Sequence, residues 1–95
     1  MVTEFECKTF EELVFSIDNV EFKYSECTIM AEKEHKKFPN VELILKNPDG
    51  IFAEVAVSSS DSEVGKNNIF RGTYDGDVIE EDLAIGLSKL ANMTN

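Results

Sequence analysis

The sequence predicts an α+β fold: a meander of three or four antiparallel strands with an N-terminal and a C-terminal helix packed on one face, in the order α-β-β-β-(β)-α. Three observations carry this expectation. Residues 41–57 read as two strands folded about a tight turn at Asn47-Pro48-Asp49-Gly50. Residues 20–31 alternate apolar and polar side chains with a period of two. Apolar stripes at helical spacing begin at Phe10 and at Ile79.

In chain order, Val2, Phe5, Cys7 and Phe10 give a weak signal for a short edge strand or an arm laid on the core. Phe10, Leu13, Val14 and Ile17 then repeat at i, i+3, i+4 and i+7, and Thr9 with Glu12 has capping-box spacing, which predicts a helix over residues 10–18. Its outer face carries Glu11, Glu12 and Asp18. Beyond it, Val20, Phe22 and Tyr24 share one parity and Cys27, Ile29 and Ala31 the other, so one residue has slipped. A β-bulge at Ser25 and Glu26 restores the parity; the alternative is a tight turn that splits the stretch into a small hairpin. Glu32-Lys33-Glu34-His35-Lys36-Lys37 is the basic cluster and holds the one His. Glutamates interleave its lysines, so it reads as a solvated loop rather than an anion site.

The central hairpin has the clearest local chemistry. Pro48 presets φ for the turn, Asp49 tolerates the bridge region, and Gly50 takes the left-handed position that closes a bulged loop. With Asn47 facing Ile51, Leu45 lies opposite Ala53, Leu43 opposite Val55 and Val41 opposite Val57, which puts all six on one face. The other face is mixed: Glu42, Lys46 and Glu54 alternate with Ile44, Phe52 and Ala56. It is expected to face solvent, with Ile44 and Phe52 as singly exposed residues; the sharper alternative makes them a small contact patch.

Ser58 to Asn68 is a long polar run and reads as a loop, without the Gly-Lys-Ser/Thr order of a phosphate-binding loop. Ile69 to Tyr74 follows as a short strand at a sheet edge. Asp75-Gly76-Asp77 then marks a turn, with Asp77 as N-cap and Glu80 in the capping-box position of a helix over residues 78–93. Its apolar face comprises Ile79, Leu83, Leu87 and Leu90, widened by Ala84, Ala91 and Met93. Asp75 and Asp77 do not begin a calcium loop, because the later acidic positions and the central glycine fall in the wrong places.

Composition bounds the function. The 95 residues make a single domain, 1–95, large enough to bury roughly two thirds of the surface its unfolded chain exposes. Hydrophobic content of 42% separates it from disordered acidic chains. Nine Lys and Arg against 19 Asp and Glu give a net charge of −10, a surface that repels nucleic acid and anionic membrane and attracts basic partners. The N-terminal residues lack a basic region and an apolar run, so no signal peptide is read and a cytoplasmic location is expected. Cys7 and Cys27 stand without metal-ligand spacing and His35 has no companion ligand; no cofactor, metal or enzymatic activity is expected.

Between Arg71 and Lys89 the chain carries Asp75, Asp77, Glu80, Glu81 and Asp82 and no base, whereas helix capping accounts for only two of these acids. In element order the outline resembles double-stranded RNA-binding domains, but acids stand where those need basic phosphate contacts. In size, charge and element order it is similar to small acidic phage inhibitors of host nucleases, some anti-CRISPR proteins among them, and to the acidic chaperones of bacterial type III secretion. No residue motif carries either likeness. The leading expectation is an acidic protein-binding inhibitor that mimics nucleic acid. Asp61, Glu63, Asp75, Asp77, Glu80, Glu81 and Asp82 would occupy a basic groove on a nuclease or other nucleic-acid-binding protein. The alternative is a small cytosolic binding or chaperone module acting through apolar surface, either the sheet's second face at Ile44 and Phe52 or an exposed strand edge. Monomer and dimer both remain open.

Overall fold

The computed structural model of the chain describes residues 2–35, 40–59 and 70–93. Among the described residues the elements are β1 (Thr3–Cys7), a 3-10 turn (Phe10–Glu12), β2 (Val14–Ile17), β3 (Val20–Lys23), a 3-10 turn (Tyr24–Glu26), β4 (Thr28–His35), β5 (Asn40–Lys46), β6 (Phe52–Ser59), β7 (Phe70–Ile79) and α1 (Glu81–Met93). Five strands form one antiparallel sheet in the order β1-β7-β6-β5-β4, and β2 and β3 form a separate hairpin. The expected meander with two helices on one face is therefore replaced by three layers: hairpin, sheet and a single α-helix on the far side.

The β5–β6 hairpin sits in the middle of the sheet with the register its sequence predicts, Leu45 opposite Ala53, Leu43 opposite Val55 and Val41 opposite Val57. Asn47 is the reason. Its side chain is buried, its Oδ1 accepts hydrogen bonds from the N–H groups of Asp49 and Ile51 at 3.0 and 2.9 Å, and its own N–H donates to the Ile51 carbonyl at 2.9 Å. Gly50 closes the loop with φ +85° and donates its N–H to the Asn47 carbonyl.

The helix expected over residues 10–18 is not formed. A helix that buried Leu13, Val14 and Ile17 would turn Phe15 outward, whereas the strand β2, with Leu13 just before it, buries Leu13, Phe15 and Ile17 and exposes Val14 instead. Completely burying a phenylalanine is worth about 2 kcal/mol, more than a capping box contributes. Asp18 and Asn19 then take φ of 51° and 66°, the left-handed pair that a two-residue hairpin loop requires, and return the chain as β3. Topology demands a covering element here. The chain leaves β1 at one edge of the sheet and must reach β4 at the other, about 19 Å away across four strand spacings. The hairpin makes that crossing over the face of Leu43, Leu45, Val55 and Val57 and seals it with Phe15 and Phe22. It is stitched down by the Phe15–Tyr74 edge-to-face contact at 4.9 Å, by the Ser16 N–H donating to the Tyr74 hydroxyl at 3.0 Å, and by the Val78 N–H donating to Asp18 Oδ2 at 3.1 Å.

Residues 20–31 are neither one bulged strand nor a small hairpin. β3 pairs with β2, the 3-10 turn at Tyr24–Glu26 redirects the chain, and β4 joins the large sheet. The register shift lies between Ile29 and Ala31, so that Ile29 pairs with Leu45 and Ala31 with Ile44, on opposite faces. The charged segment from Glu32 through His35 continues β4 as an edge strand rather than looping; Lys36 and Lys37 lie outside the described residues. So do residues 60–69, which hold most of the expected polar loop.

β7 is the largest correction after the N-terminal helix. It lies between β1 and β6, not at an edge, and runs through Asp75, Gly76 and Asp77 to Ile79. The expected turn fails because Gly76 serves a close strand approach: a Cβ there would stand 2.6 Å from the Glu54 carbonyl oxygen and 3.1 Å from Ile17 Cδ1. Asp77 is consequently a strand residue opposite Glu54, not an N-cap, and α1 begins at Glu81. The helix starts from the face that bears Ile79, opposite the hairpin, and covers Ala31, Ile44 and Phe52 with Ala84, Leu87 and Ala91. Ile44 and Phe52 are thus buried between sheet and helix, not exposed.

Three positions in the fold have stability consequences that four variants test. Asn19→Gly is expected to raise the urea midpoint by the equivalent of about 0.5 kcal/mol and Asn19→Ala to lower it by about 1 kcal/mol, because φ at this position is left-handed. Gly76→Ala is expected to cost about 1–3 kcal/mol from the close approach to Glu54. By contrast, Ser88→Ala is expected to stabilise by about 1 kcal/mol, since the Ser88 hydroxyl is buried in α1 with no hydrogen-bond partner among the described residues. Urea unfolding followed by circular dichroism measures all four.

An acidic groove as the candidate functional site

The same alternation that sends Ile44 and Phe52 under α1 sends their polar neighbours to the half of that face the helix leaves open. On β5 and β6 these are Glu42 and Glu54, with Ala56 beside them; on β7, Asp75 and Asp77. Glu42 pairs with Ala56 and Ala56 with Asp75 in one row, and Ile44 pairs with Glu54 and Glu54 with Asp77 in the next. Carboxylates from three adjacent strands, with rows about 7 Å apart along the strand, therefore line one groove. Its volume is about 380 Å³, and Ala31, Ile44, Ala56, Leu87 and Ala91 give it an apolar floor and wall.

Charge in and around the groove is one-sided. Glu4 and Glu6 of β1 lie on the same face further along, and Glu6 is engaged by Arg71, whose Nε lies 2.9 Å from Glu6 Oε2. Lys33 of β4 stands opposite Glu42 and is the one cation among the described residues that line the cavity. Glu54 and Asp77 are direct cross-strand neighbours of like charge, an arrangement that disfavours the folded sheet by up to about 1 kcal/mol. Glu54 is half-buried and Asp77 exposed. Among the described residues no three His, Cys, Asp or Glu side chains converge as a metal-binding group, so the carboxylates form a row rather than a coordination cage.

The seven acids singled out in the sequence separate into three groups. Asp75 and Asp77 line the groove, though as strand residues. Glu80, Glu81 and Asp82 are exposed at the start of α1, where Glu81 and Asp82 complement the positive end of its dipole. Asp61 and Glu63 lie outside the described residues. Glu42 and Glu54 were missed as site residues. Their signal was present in the hairpin register, which already placed both on the mixed face, but the continuation of that face into β7 was hidden by the apparent turn at Asp75-Gly76-Asp77.

The thiols add no nucleophile to the groove. Burial, with Glu12 adding a smaller effect, pushes the Cys7 thiol above its ordinary value, and burial followed by Glu26 does the same to Cys27. Cys7 is buried in the core and Cys27 packs partly buried against it, and both carry their protons at neutral pH. No described helix is long and apolar enough to cross a membrane. No family model matches the chain, and neither the curated proteins nor the solved structures give a match to it.

Proposed function

We propose that this protein is an acidic protein-binding inhibitor whose carboxylate row stands in for nucleic-acid phosphates and engages the lysines and arginines of a nucleic-acid-binding partner. The observation that carries the reading is the pairing of Glu54 with Asp77, flanked by Glu42 and Asp75, on an open sheet face. Solubility requires dispersed charge, not like charges placed opposite one another at a cost to the sheet. A regular row of anions beside a groove suits a surface built to bind a phosphate backbone, where Lys and Arg supply most of the affinity. The net charge of −10 adds steering: association with a basic partner is fast and weakens as salt screens it.

The alternative through an apolar sheet surface loses its two named residues, because Ile44 and Phe52 are buried beneath α1. Among the described residues the most exposed large apolar side chains of α1 are Leu83, Leu90 and Met93, while Ile29 on the edge strand β4 and Val14 on β2 are exposed to a lesser degree.

The test is capture of the partner from source cells with the wild-type protein and with the double variant Glu54→Gln/Asp77→Asn. The wild type is expected to retain a basic nucleic-acid-binding protein that is released by about 1 M salt, where the screening length falls to about 3 Å, and by added polynucleotide. The variant is expected to lose that partner while gaining up to about 1 kcal/mol of stability, since it removes a like-charge pair. Retention of the partner by the variant, or indifference to polynucleotide, would refute the reading.

A further inference from the structure

We infer that the groove and the exposed flank of α1 form one docking surface for a basic amphipathic helix of the partner. The inference rests on the acidic-binding reading and specifies its mode of recognition. Two observations meet here. Leu87 and Ala91 line the acidic groove. Leu83 and Leu90 lie four residues before and three residues after Leu87, on the same flank of the helix, and are 51% and 61% exposed. The three leucines make an apolar ridge about 10 Å long that runs beside the carboxylate row.

The occupant follows from charge and shape together. An extended cationic peptide would pair with Glu54 and Asp77 but leave the leucine ridge wet. An uncharged apolar helix would cover the ridge and press Glu54 and Asp77 against low-dielectric surface. A second copy of this chain brings −10 against −10, and an anionic membrane is repelled in the same way. A helix with apolar residues at i, i+3, i+4 and i+7 and Lys or Arg on the adjoining face meets both features at once. Its ridge packs against Leu83, Leu87 and Leu90, and its cations reach sideways into the groove.

The full-length protein is titrated against two fluorescein-labelled peptides of identical Leu and Lys content, each about five helical turns long. One has leucines at helical spacing and the other is scrambled. The helical peptide is expected to bind at least about tenfold more tightly. Leu83→Gln/Leu90→Gln is expected to abolish that preference, leaving the weaker, salt-sensitive binding of both peptides; both positions are exposed and glutamine is a good helix former, so the fold is preserved. Glu54→Gln/Asp77→Asn is expected to weaken binding of both peptides and flatten its salt dependence. Equal, salt-sensitive binding of the two peptides overturns the helix-docking inference and leaves the acidic reading standing. Preference for the helical peptide that survives high salt and the carboxylate variant overturns the acidic reading and assigns the ridge to apolar binding alone. Absence of binding by either peptide overturns both.

Discussion

The structure depends on the register set at Asn47. Its side-chain oxygen receives two backbone N–H groups across the turn, and its N–H closes the loop to Ile51, so β5 and β6 have one alignment available. Because side chains alternate faces, that alignment divides the central hairpin cleanly. Leu43, Leu45, Ala53 and Val55 go to the β2–β3 side; Glu42, Ile44, Phe52 and Glu54 go to the helix side. A slip of one residue would drive Glu42 and Glu54 into the core. Everything on the helix face, including the groove, inherits its layout from this one turn.

Legibility in the sequence followed how local the deciding interaction was. The central hairpin was readable because its turn chemistry and its apolar pattern lie within seventeen residues and agree. β2 was not, because Phe10, Leu13, Val14 and Ile17 satisfy a helical template as well as Leu13, Phe15 and Ile17 satisfy a strand template. The choice between them is made by Phe15 and Tyr74, residues 59 positions apart that meet only in the folded chain. Asp18, the last residue of the expected helix, forms with Asn19 the left-handed pair of a hairpin loop. β7 misled for a similar reason: Asp75-Gly76-Asp77 has the composition of a turn, and only the nearness of the Glu54 carbonyl shows why a glycine stands there in a strand.

The site was half visible for the same cause. Asp75 and Asp77 drew notice as surplus acids near a helix start, whereas their significance lies in pairing across β7 and β6 with Ala56 and Glu54. Glu42 and Glu54 sat in the best-read part of the chain but seemed ordinary solvent-facing residues. Long-range strand pairing turned two unremarkable pairs of acids into a row. Nothing in the local sequence of either segment encodes that meeting.

The groove also exists because α1 covers too little. Its residues against the sheet, Ala84, Ser88 and Ala91, are small, so the helix can approach closely over β4, β5 and β6. Close approach narrows the strip that the helix can bury, which leaves Leu83 and Leu90 outside the contact and the Glu42–Asp75 half of the sheet uncovered. Larger residues at these three positions would lift the helix from the sheet and pull apart the ridge and the carboxylate row. The choice of small residues under α1 and the like-charge pair at Glu54 and Asp77 thus act in the same direction. Each gives up stability that the fold could have had, one as unburied leucine and the other as repulsion, and both losses fall beside the same groove. Both features lie beside the same groove, and the proposed binding role turns on them together: a surface that meets a partner keeps charge and apolar area which the fold itself leaves unburied.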